Sequence, residues 1–275
     1  MNAEHAAIAD RLIAAQDAVT TLRPITADAP GFTVEDGYRV LEEIERRRRA
    51  QGWRPIGRKI GFTNRTIWPR YGVYQPMWAH VWAHTVQFAS NSKAALALRS
   101  FVQPRIEPEV VFKLKAPLPL SDDPLAVLAA AEWIAPGFEI VQSHFPDWKF
   151  GAPDCTADCG LHAALVVGAP VEITDRNRAA LAAALPLFEL TLLRGNAVID
   201  RGVGANVLGS PALALTHFAR LIANQPQFPQ PTAGEIITTG TLTDAWPVAT
   251  GETWSSDYGQ LGLKGLTLEF VEPPR

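Results

Sequence analysis

The first fifty residues carry apolar side chains at helical spacing. These side chains recur every three or four positions between Ile8 and Val19 and predict a helix over 3–20. A second helix is predicted to begin after Thr33, because Asp36 stands where a capping box returns a hydrogen bond to the start of the helix. The chain therefore opens with a predicted helical layer.

From about residue 55 the pattern changes to short apolar or β-branched runs separated by Gly and Pro, which is typical of strands with many connections. The candidate strands are 56–61, 85–89, 105–114, 136–142, 161–167, 186–193, 197–201, 235–239 and 265–271. A hairpin is predicted to turn at Gly195 and Asn196, which both tolerate positive φ. Three further helices are predicted to begin near Pro124, Asp175 and Pro211.

The order of these elements, helices first and strands afterwards, predicts an α+β fold. Behind the helical front end we expect a mixed, mainly antiparallel sheet structure. The chain has 275 residues, of which 47% are hydrophobic, so it can bury a substantial core. Length alone allows one large domain or one domain with a small helical extension.

Charge and composition limit the expected partners. The net charge is −3 and the sequence pI is about 6.1, so no basic field favours nucleic acid or an anionic membrane. The first residues lack the pattern of a secretion signal, and no stretch reaches the roughly 20 apolar residues of a membrane helix, so we expect a cytoplasmic location. Cys155 and Cys159 are expected to be free thiols. The arginine run at 46–49 is expected to face water at the end of a helix.

Two glutamates stand one residue apart in the otherwise apolar run RIEPEVV, residues 105–111. On a strand, Arg105, Glu107 and Glu109 would point to one face, with the two acids roughly 6.5 to 7 Å apart at their Cα atoms. In a cleft they would repel each other unless a cation or a proton intervened, and a hard divalent metal is the simplest solution. The alternative is a solvated strand face on which Arg105 is a partner for the acids.

A third acid, Glu139, stands between Phe138 and Ile140 in a predicted buried strand. A carboxylate there needs a partner, because an unpaired buried charge is costly. Three such acids would suit Mg²⁺ or Mn²⁺, which prefer oxygen ligands and keep coordination sites open for water or substrate. The hypothesis is therefore a metal site made of Glu107, Glu109 and Glu139.

Lys59 is a second unusual residue, since it lies in a predicted strand and is followed by a turn at Gly61. Beside a metal, its amine would bind a substrate carboxylate or shuttle a proton. The alternative is an ordinary lysine whose aliphatic chain covers apolar surface while its amine reaches water. Spacing along the sequence does not separate the two.

Acids and histidines recur at a spacing of four in two places. On a helix, Asp154, Asp158 and His162 would share one face and supply an acid–histidine pair for general acid–base catalysis, unless that face is simply solvated. His80 and His84 have the same spacing. They are either ligands or, among so many tryptophans, packing residues with one hydrogen bond each.

Five stretches follow one another along the chain: KIGFTNRTIWPRYGVYQP, QPRIEPEVVF, GFEIVQSHFPDWKF, DCTADCGLHAALVVG and GEIITTGTLTDAWPVATGETWSSDYGQLGLKGLTLEF. Taken in this order, they resemble the 2-keto-4-pentenoate hydratase and 4-oxalocrotonate decarboxylase branch of the fumarylacetoacetate hydrolase superfamily. The resemblance runs from about residue 33 to the end. Its most specific elements are the Glu-x-Glu strand, the lone Glu about thirty residues later and the preceding Lys-Ile-Gly-x-Thr.

The resemblance implies a mixed β-sandwich or roll with an N-terminal helical region. Residues 1–54 would form that region, packed on a β-roll catalytic domain of residues 55–275. It further implies a homo-oligomer and a divalent cation, Mg²⁺ or Mn²⁺. The cation would chelate the 1-carboxylate and 2-oxygen of a 2-oxo acid and stabilise its enolate.

The resemblance also implies roles for single residues. The expected metal ligands are Glu107, Glu109 and Glu139. Lys59 is an expected catalytic residue on the resemblance, whereas Asp158 and His162 are expected catalytic residues because of the acid–histidine pair that their spacing would form. The resemblance implies that Thr239 and Gly240 bind the substrate, and Gly61, at the turn after Lys59, is added to them as an expected substrate-binding residue.

Two places depart from the hydratases of this family. Met77 stands where they have an acidic residue after the Gln-Pro turn, and the run Cys159, Gly160 and Leu161 replaces an Asn-x-Ser pattern. The metal-and-enolate half of the mechanism carries over, whereas the groups that manage water or protons are replaced by apolar ones. Candidates to take over that part are His162, Asp158, His80 and Tyr74.

The leading hypothesis is a metal-dependent lyase that hydrates a 2-hydroxy-2,4-dienoate or a related 2-oxo acid in aromatic-compound catabolism. A decarboxylase of a 2-oxo diacid, or a hydrolase of the carbon–carbon bond of an acylpyruvate, is the alternative that Met77 and Leu161 make attractive. A third hypothesis is a non-catalytic protein that binds a small acid or supports a partner enzyme.

Overall fold

Two β-sheets and a layer of helices build the fold in the computed structural model, which describes residues 3–272 and all their side chains except those of residues 70 and 71. The helices are α1 (Ala3–Ala18), α2 (Ile25–Asp28), α3 (Val34–Ala50), α4 (Trp68–Tyr71), α5 (Pro124–Ala129), α6 (Ala152–Ala157), α7 (Arg178–Ala184) and α8 (Pro211–Ala223). The strands are β1 (Pro55–Gly61), β2 (Met77–Trp82), β3 (Val86–Phe88), β4 (Lys93–Ala97), β5 (Arg105–Leu114), β6 (Ala131–Val141), β7 (His162–Val167), β8 (Val171–Glu172), β9 (Glu189–Arg194), β10 (Ala197–Val203), β11 (Ile236–Thr238), β12 (Trp246–Pro247), β13 (Thr253–Asp257) and β14 (Thr267–Val271).

Both sheets are mixed. The larger has the order β2-β1-β11-β5-β6-β7-β3, with β12 beside β5 and β8 beside β6, and the smaller has the order β10-β9-β13-β14-β4. The pairs β1 with β11, β3 with β7 and β14 with β4 are parallel, and the remaining pairs are antiparallel. The predicted α+β class, with mixed sheets behind an N-terminal helical region, is confirmed.

Strands β5 and β6 bring acids and core side chains to opposite faces of one sheet. Val110 and Phe112 of β5 lie in the main hydrophobic core, so Glu107 and Glu109 lie on the other face of the strand. The antiparallel register then sets Glu107 directly opposite Glu139 of β6. The pairing of β5 with β6 thus places Glu139 beside Glu107 and Glu109.

The N-terminal helices pack through a smaller apolar cluster. Helix α3 begins with the predicted capping box, in which Thr33 and Asp36 exchange hydrogen bonds. Leu12 of α1 and Ile44 of α3 are buried in a cluster that also contains Phe145 from the main body. The division of the chain between residues 54 and 55 stays a prediction.

The arginine run differs from its expectation at Arg48. This residue is 3% exposed, forms an ion pair with Asp17 in which Nη2 lies 2.7 Å from the carboxylate, and lies 4.3 Å from the centre of the Trp53 ring. Because α1 lies along this side of α3, the arginine on the inner face links the two helices. Arg46, with 63% exposure of its side chain, keeps the expected place in water.

Strand β2 is absent from the sequence-based expectations. All six of its residues are buried, so no alternation of apolar and polar positions marks it. His80 donates or accepts one hydrogen bond with Glu45 at 2.8 Å, and His84 packs edge-on against Trp53. Both contacts fit the packing alternative.

Within residues 3–272, no helix has both the length and the apolarity to cross a membrane.

Candidate metal centre and substrate cavity

The three carboxylates expected to bind a metal lie together. One oxygen each of Glu107, Glu109 and Glu139 lies within 4.8 Å of the other two. Glu109 and Glu139 are 0% exposed, and Glu107 lies partly exposed at the wall of a cavity. The alternative of a solvated strand face therefore does not hold for Glu109, which lies on that face and is out of water.

The hydrogen bonds of these acids leave oxygen atoms available. Oε2 of Glu109 accepts the Gly240 N–H at 2.8 Å, whereas its Oε1 is buried without a hydrogen-bond partner among the residues described. Oε2 of Glu139 likewise lacks a hydrogen bond and has an ion pair with Lys59 at 3.3 Å. Buried, unsatisfied carboxylate oxygens are costly on their own and are the ligands that Mg²⁺ and Mn²⁺ prefer. The residues present fit a divalent cation.

Gly240 has a backbone that few other residues could adopt here. Its φ is +97°, and a Cβ at this position would lie 1.8 Å from Oγ1 of Thr63. The glycine lets the chain pass Thr63 closely enough for its N–H to reach Glu109. Thr239, its neighbour, instead donates its hydroxyl to the Val110 carbonyl at 2.9 Å and is not among the residues that line the cavity.

Lys59 is buried beside the acids. Its side chain is 5% exposed, and its Nζ donates to the Gly160 carbonyl at 2.9 Å. Burial alone would lower its pKa, but the charges of the three glutamates outweigh burial and raise the pKa above its ordinary value. The lysine is therefore a buried ammonium, and the alternative of an amine that reaches water does not hold.

The acids differ in how firmly they hold a proton. Enclosure in the protein, opposed by the charge of Lys59, raises the pKa of Glu107 to about 7. Burial and the charges of the other two glutamates raise the pKa of Glu109 well above its ordinary value. Burial alone would raise the pKa of Glu139, yet Lys59 and the hydrogen bond from His162 outweigh it and lower the pKa to about 2. Without a cation, Glu107 and Glu109 therefore hold a proton up to a higher pH than ordinary glutamates do, whereas Glu139 loses its proton more readily.

His162 lies behind the carboxylates. Its Nδ1 is 2.8 Å from Oε1 of Glu139, and its Nε2 is 2.8 Å from the hydroxyl of Thr85. A carboxylate with a depressed pKa only accepts hydrogen bonds, so Nδ1 carries the proton. The imidazole thereby fixes the orientation of Glu139.

The expectation that Asp154, Asp158 and His162 share one helix face is wrong. Helix α6 ends before Asp158, a 3-10 turn with Gly160 at φ +62° follows, and His162 begins β7. The oxygens of Asp158 accept from His144 at 2.8 and 3.0 Å. Asp154 accepts from the backbone and hydroxyl of Thr26. Asp158 and His162 thus pair with other residues, and Asp158 lies outside the lining of the cavity.

The cavity beside the acids has a polar and an apolar side. Gly61 and Gly240 line it, as do the polar residues Lys59, Thr63, Asn64, Arg105, Glu107, Thr241, Thr243 and Asp244. Met77 and Leu161 line it as well, at the two places where the sequence departs from the hydratases. Both are at least 94% buried, with 4% and 6% exposure.

Thr85, His144 and the Gly160 carbonyl escaped sequence analysis. Thr85 contacts His162 across 77 positions of sequence and His144 contacts Asp158 across 14, so no local spacing marks either contact. The one available signal was Gly160 itself. Gly160 lies in the turn between α6 and β7, and a glycine in a turn is a common sign of positive φ, which here presents a carbonyl to Lys59.

No protein-family model matches the chain. The 2-hydroxyhexa-2,4-dienoate hydratase of Comamonas testosteroni is 33% identical over 267 residues, which are 95% of this chain and 96% of that protein. The 4-oxalocrotonate decarboxylase of Pseudomonas sp. (strain CF600) is 28% identical over 267 residues, 96% of each chain. Among solved structures, the 4-oxalocrotonate decarboxylase of Pseudomonas putida G7 complexed with magnesium and adipate has a TM-score of 0.86 and 26% identity, covering 98% of this chain and 97% of that one.

These similarities extend over nearly the whole of each chain and include the strands that carry the acids. The identity with the Comamonas protein is high enough, over a sufficient length, to show common descent. The chain belongs to the hydratase and decarboxylase branch of the fumarylacetoacetate hydrolase superfamily.

Proposed function

We propose that the protein is a divalent-metal-dependent lyase that hydrates a 2-hydroxy-2,4-dienoate or a related 2-oxo acid in aromatic-compound catabolism. The observation that carries the proposal is the convergence of three carboxylates and a buried ammonium at one cavity, in a relative of 2-hydroxyhexa-2,4-dienoate hydratase. Family membership also supports the proposal of a cytoplasmic homo-oligomer.

Glu107, Glu109 and Glu139 would hold Mg²⁺ or Mn²⁺. When bound, the cation would supply positive charge to the carboxylate and 2-oxygen of the substrate, where negative charge develops in the reaction. Two of the acids have raised pKa values, so loading the site would release protons. Gly240 would keep Glu109 in place through its N–H.

Lys59 would bind the anionic head of the substrate. Because the acids raise its pKa, the ammonium keeps its proton at neutral pH, which favours a charge role over proton release. Its hydrogen bond to Gly160 directs the ammonium along the cavity wall. Gly61 borders the same space and leaves room for the substrate beside Lys59.

His162 would act as a positioning residue for Glu139, since it donates to that carboxylate and is itself held by Thr85. Asp158 would orient His144, with which it shares a hydrogen bond. It would not touch the substrate, because it lies outside the cavity lining. Thr239 would hold the Gly240 loop against β5 through Val110. Thr239 therefore acts on the substrate only through its neighbour in this proposal.

The test of the proposed function follows the ultraviolet absorbance of 2-hydroxypenta-2,4-dienoate. With Mg²⁺ the absorbance is expected to fall and a 4-hydroxy-2-oxo acid to form, and chelation is expected to stop both. Metal-dependent turnover without incorporation of water would overturn hydration.

Decarboxylation is the second candidate, because Met77 and Leu161 replace the polar groups with which hydratases of the family manage water. Incubation with Mg²⁺ and a 2-oxo diacid, followed by measurement of CO₂, distinguishes decarboxylation from hydration. Stoichiometric CO₂ release from the diacid, with no hydration of the dienoate, would replace the leading proposal with this one.

We expect removal of the His162 imidazole to weaken the metal site. His162→Ala should reduce the affinity for Mn²⁺ by about 10- to 100-fold, because Glu139 loses the donor that orients it. His162→Asn keeps a donor near Nδ1 and should retain most of the affinity. Calorimetric titration of both variants is the measurement, and an unchanged affinity in His162→Ala would refute the positioning role.

The metal-free protein is expected to lose stability as the pH rises toward neutrality. The pKa of Glu107 is about 7 in the folded chain and 4.5 ordinarily, so its contribution is fully present below the ordinary value and is lost as the pH passes through the folded one. Thermal melts with chelator should show a lower Tm at about pH 7.5 than at about pH 5.5. Mg²⁺ should raise the Tm more at the higher pH, and Glu107→Gln should flatten both trends. A pH-independent gain with Mg²⁺ would contradict the assignment.

A further inference from the structure

One side of the cavity is a continuous apolar surface. Eight residues of one hydrophobic cluster also line the cavity, two of which are Cys155 and Ala245. We call the six larger ones the tail wall: Phe62, Met77, Val141, Trp148, Phe150 and Leu161. They come from the loop after β1, from β2, from the end of β6 and from the segments on either side of α6. Their convergence from distant parts of the chain makes the wall a feature of the fold.

The tail wall begins beside Lys59. A Cβ at Gly61 would lie 3.0 Å from Sδ of Met77, and a Cβ at Gly160 would lie 3.0 Å from Cδ of Lys59 and 3.3 Å from the same sulfur. Met77 therefore packs against the backbone on both sides of the lysine. A substrate whose head lies at the Lys59 ammonium would extend its far end along apolar side chains.

The charges at the cavity are balanced. Among the lining side chains that the structure describes, the charged ones are Lys59, Arg105, Glu107 and Asp244, two of each sign. Lys59 is paired with Glu139, and the Arg105 guanidinium lies 4.1 Å from the centre of the Trp148 ring. A second carboxylate on the substrate would enter without a surplus cation to meet it, and burying it against the tail wall would be costly.

We propose that the protein selects substrates whose tail is uncharged and apolar, an alkyl or aryl group, and discriminates against those that carry a second carboxylate. This inference rests on the proposed function, since it assumes that the head of a 2-oxo or dienoate acid lies at Lys59 and the glutamates. Each methylene that the tail wall covers should improve binding by about fourfold, until the wall is full. The substrate-supplying reaction would then be one that releases a monocarboxylate dienoate.

The test compares two saturated analogues of equal chain length, 2-oxohexanoate and 2-oxoadipate, which differ only in the second carboxylate. In the presence of Mg²⁺, calorimetric titration should give at least about tenfold tighter binding of 2-oxohexanoate. Equal or tighter binding of 2-oxoadipate would overturn the inference. This measurement records binding, so it tests tail selection separately from the dienoate assay. Failure of the dienoate assay would refute the hydratase proposal but would not test tail selection.

Two variants and one control assign the preference to the tail wall. Val141→Thr keeps the shape of the side chain and adds a hydroxyl, and Leu161→Asn suits the positive φ of 64° at that position. A thermal melt of each variant verifies that it is folded. Each should reduce the preference for 2-oxohexanoate by about three- to tenfold. Arg105→Leu tests the opposite idea. Suppose that Arg105→Leu selectively weakens the binding of 2-oxoadipate and that the two wall variants leave the ratio of the two affinities unchanged. Arg105 then binds the second carboxylate, and the inference is refuted.

Discussion

Glu109→Gln is expected to reduce kcat/KM for dienoate hydration by about 1000-fold or more, which is the loss expected when several kcal/mol of transition-state stabilisation by a cation disappear. Glu109 is fully buried, with one oxygen that accepts from Gly240 and another that lacks a hydrogen-bond partner among the residues described. The amide keeps an oxygen for Gly240 but offers a poorer ligand. Mn²⁺ affinity, measured alongside turnover, should fall with it.

The stability of this variant separates chemistry from folding. Burial and neighbouring charge raise the pKa of Glu109, so the metal-free cluster already favours an uncharged group there. Metal-free Glu109→Gln should therefore melt no lower than the metal-free wild type, while Mg²⁺ should no longer stabilise it. Glu132→Gln is the matched control, because Glu132 lies on the same sheet in an exposed ion pair with Lys113. A Glu109→Gln enzyme with wild-type turnover would exclude Glu109 as a ligand of a catalytic cation.

Lys59→Met should reduce kcat/KM by about 100- to 1000-fold, the range seen when a charge-stabilising donor is removed from an active site. The methionine fills similar space between Gly61 and Gly160 but carries no charge. Most of the loss should appear in substrate binding, because the ammonium is assigned to the anionic head. The variant should also raise the pKa of Glu139, whose low value depends on the lysine charge.

Two comparisons make the lysine result specific. Lys93→Met, on the exposed strand β4, should leave kinetics unchanged. Lys59→Arg keeps the positive charge but adds bulk at a place where the Gly160 backbone and the Met77 side chain already pack closely. It should therefore retain only part of the wild-type activity. Full activity in Lys59→Met would remove the lysine from the mechanism.

Sequence reasoning could predict the parts of the site that depend on one strand. Alternation along β5 was enough to put Glu107 and Glu109 on one face, and the strand bounds of 105–114 are confirmed. Glu139 stood out as a buried acid. Its place opposite Glu107, however, depends on the register of β5 with β6, which no local pattern specifies.

The features that were predicted wrongly or not at all likewise depend on contacts between separate elements. The contact of His162 with Glu139 follows from β7 pairing with β6, whereas a spacing of four suggested a helix that in fact ends at Ala157. Strand β2 is buried on both faces and carries no period-two signal. Arg48 is drawn inward by Asp17 and Trp53, which approach it only in the folded chain. Contacts between elements, rather than propensities within them, decided each case.

The most direct measurement is a titration of metal-free protein with Mn²⁺, followed by electron paramagnetic resonance of the free ion. We expect one bound ion per chain in the wild type, and binding about 100-fold weaker or lost in each of Glu107→Gln, Glu109→Gln and Glu139→Gln. Wild-type protein that binds no ion, or three variants that each bind it as the wild type does, would show that these carboxylates do not form a metal site.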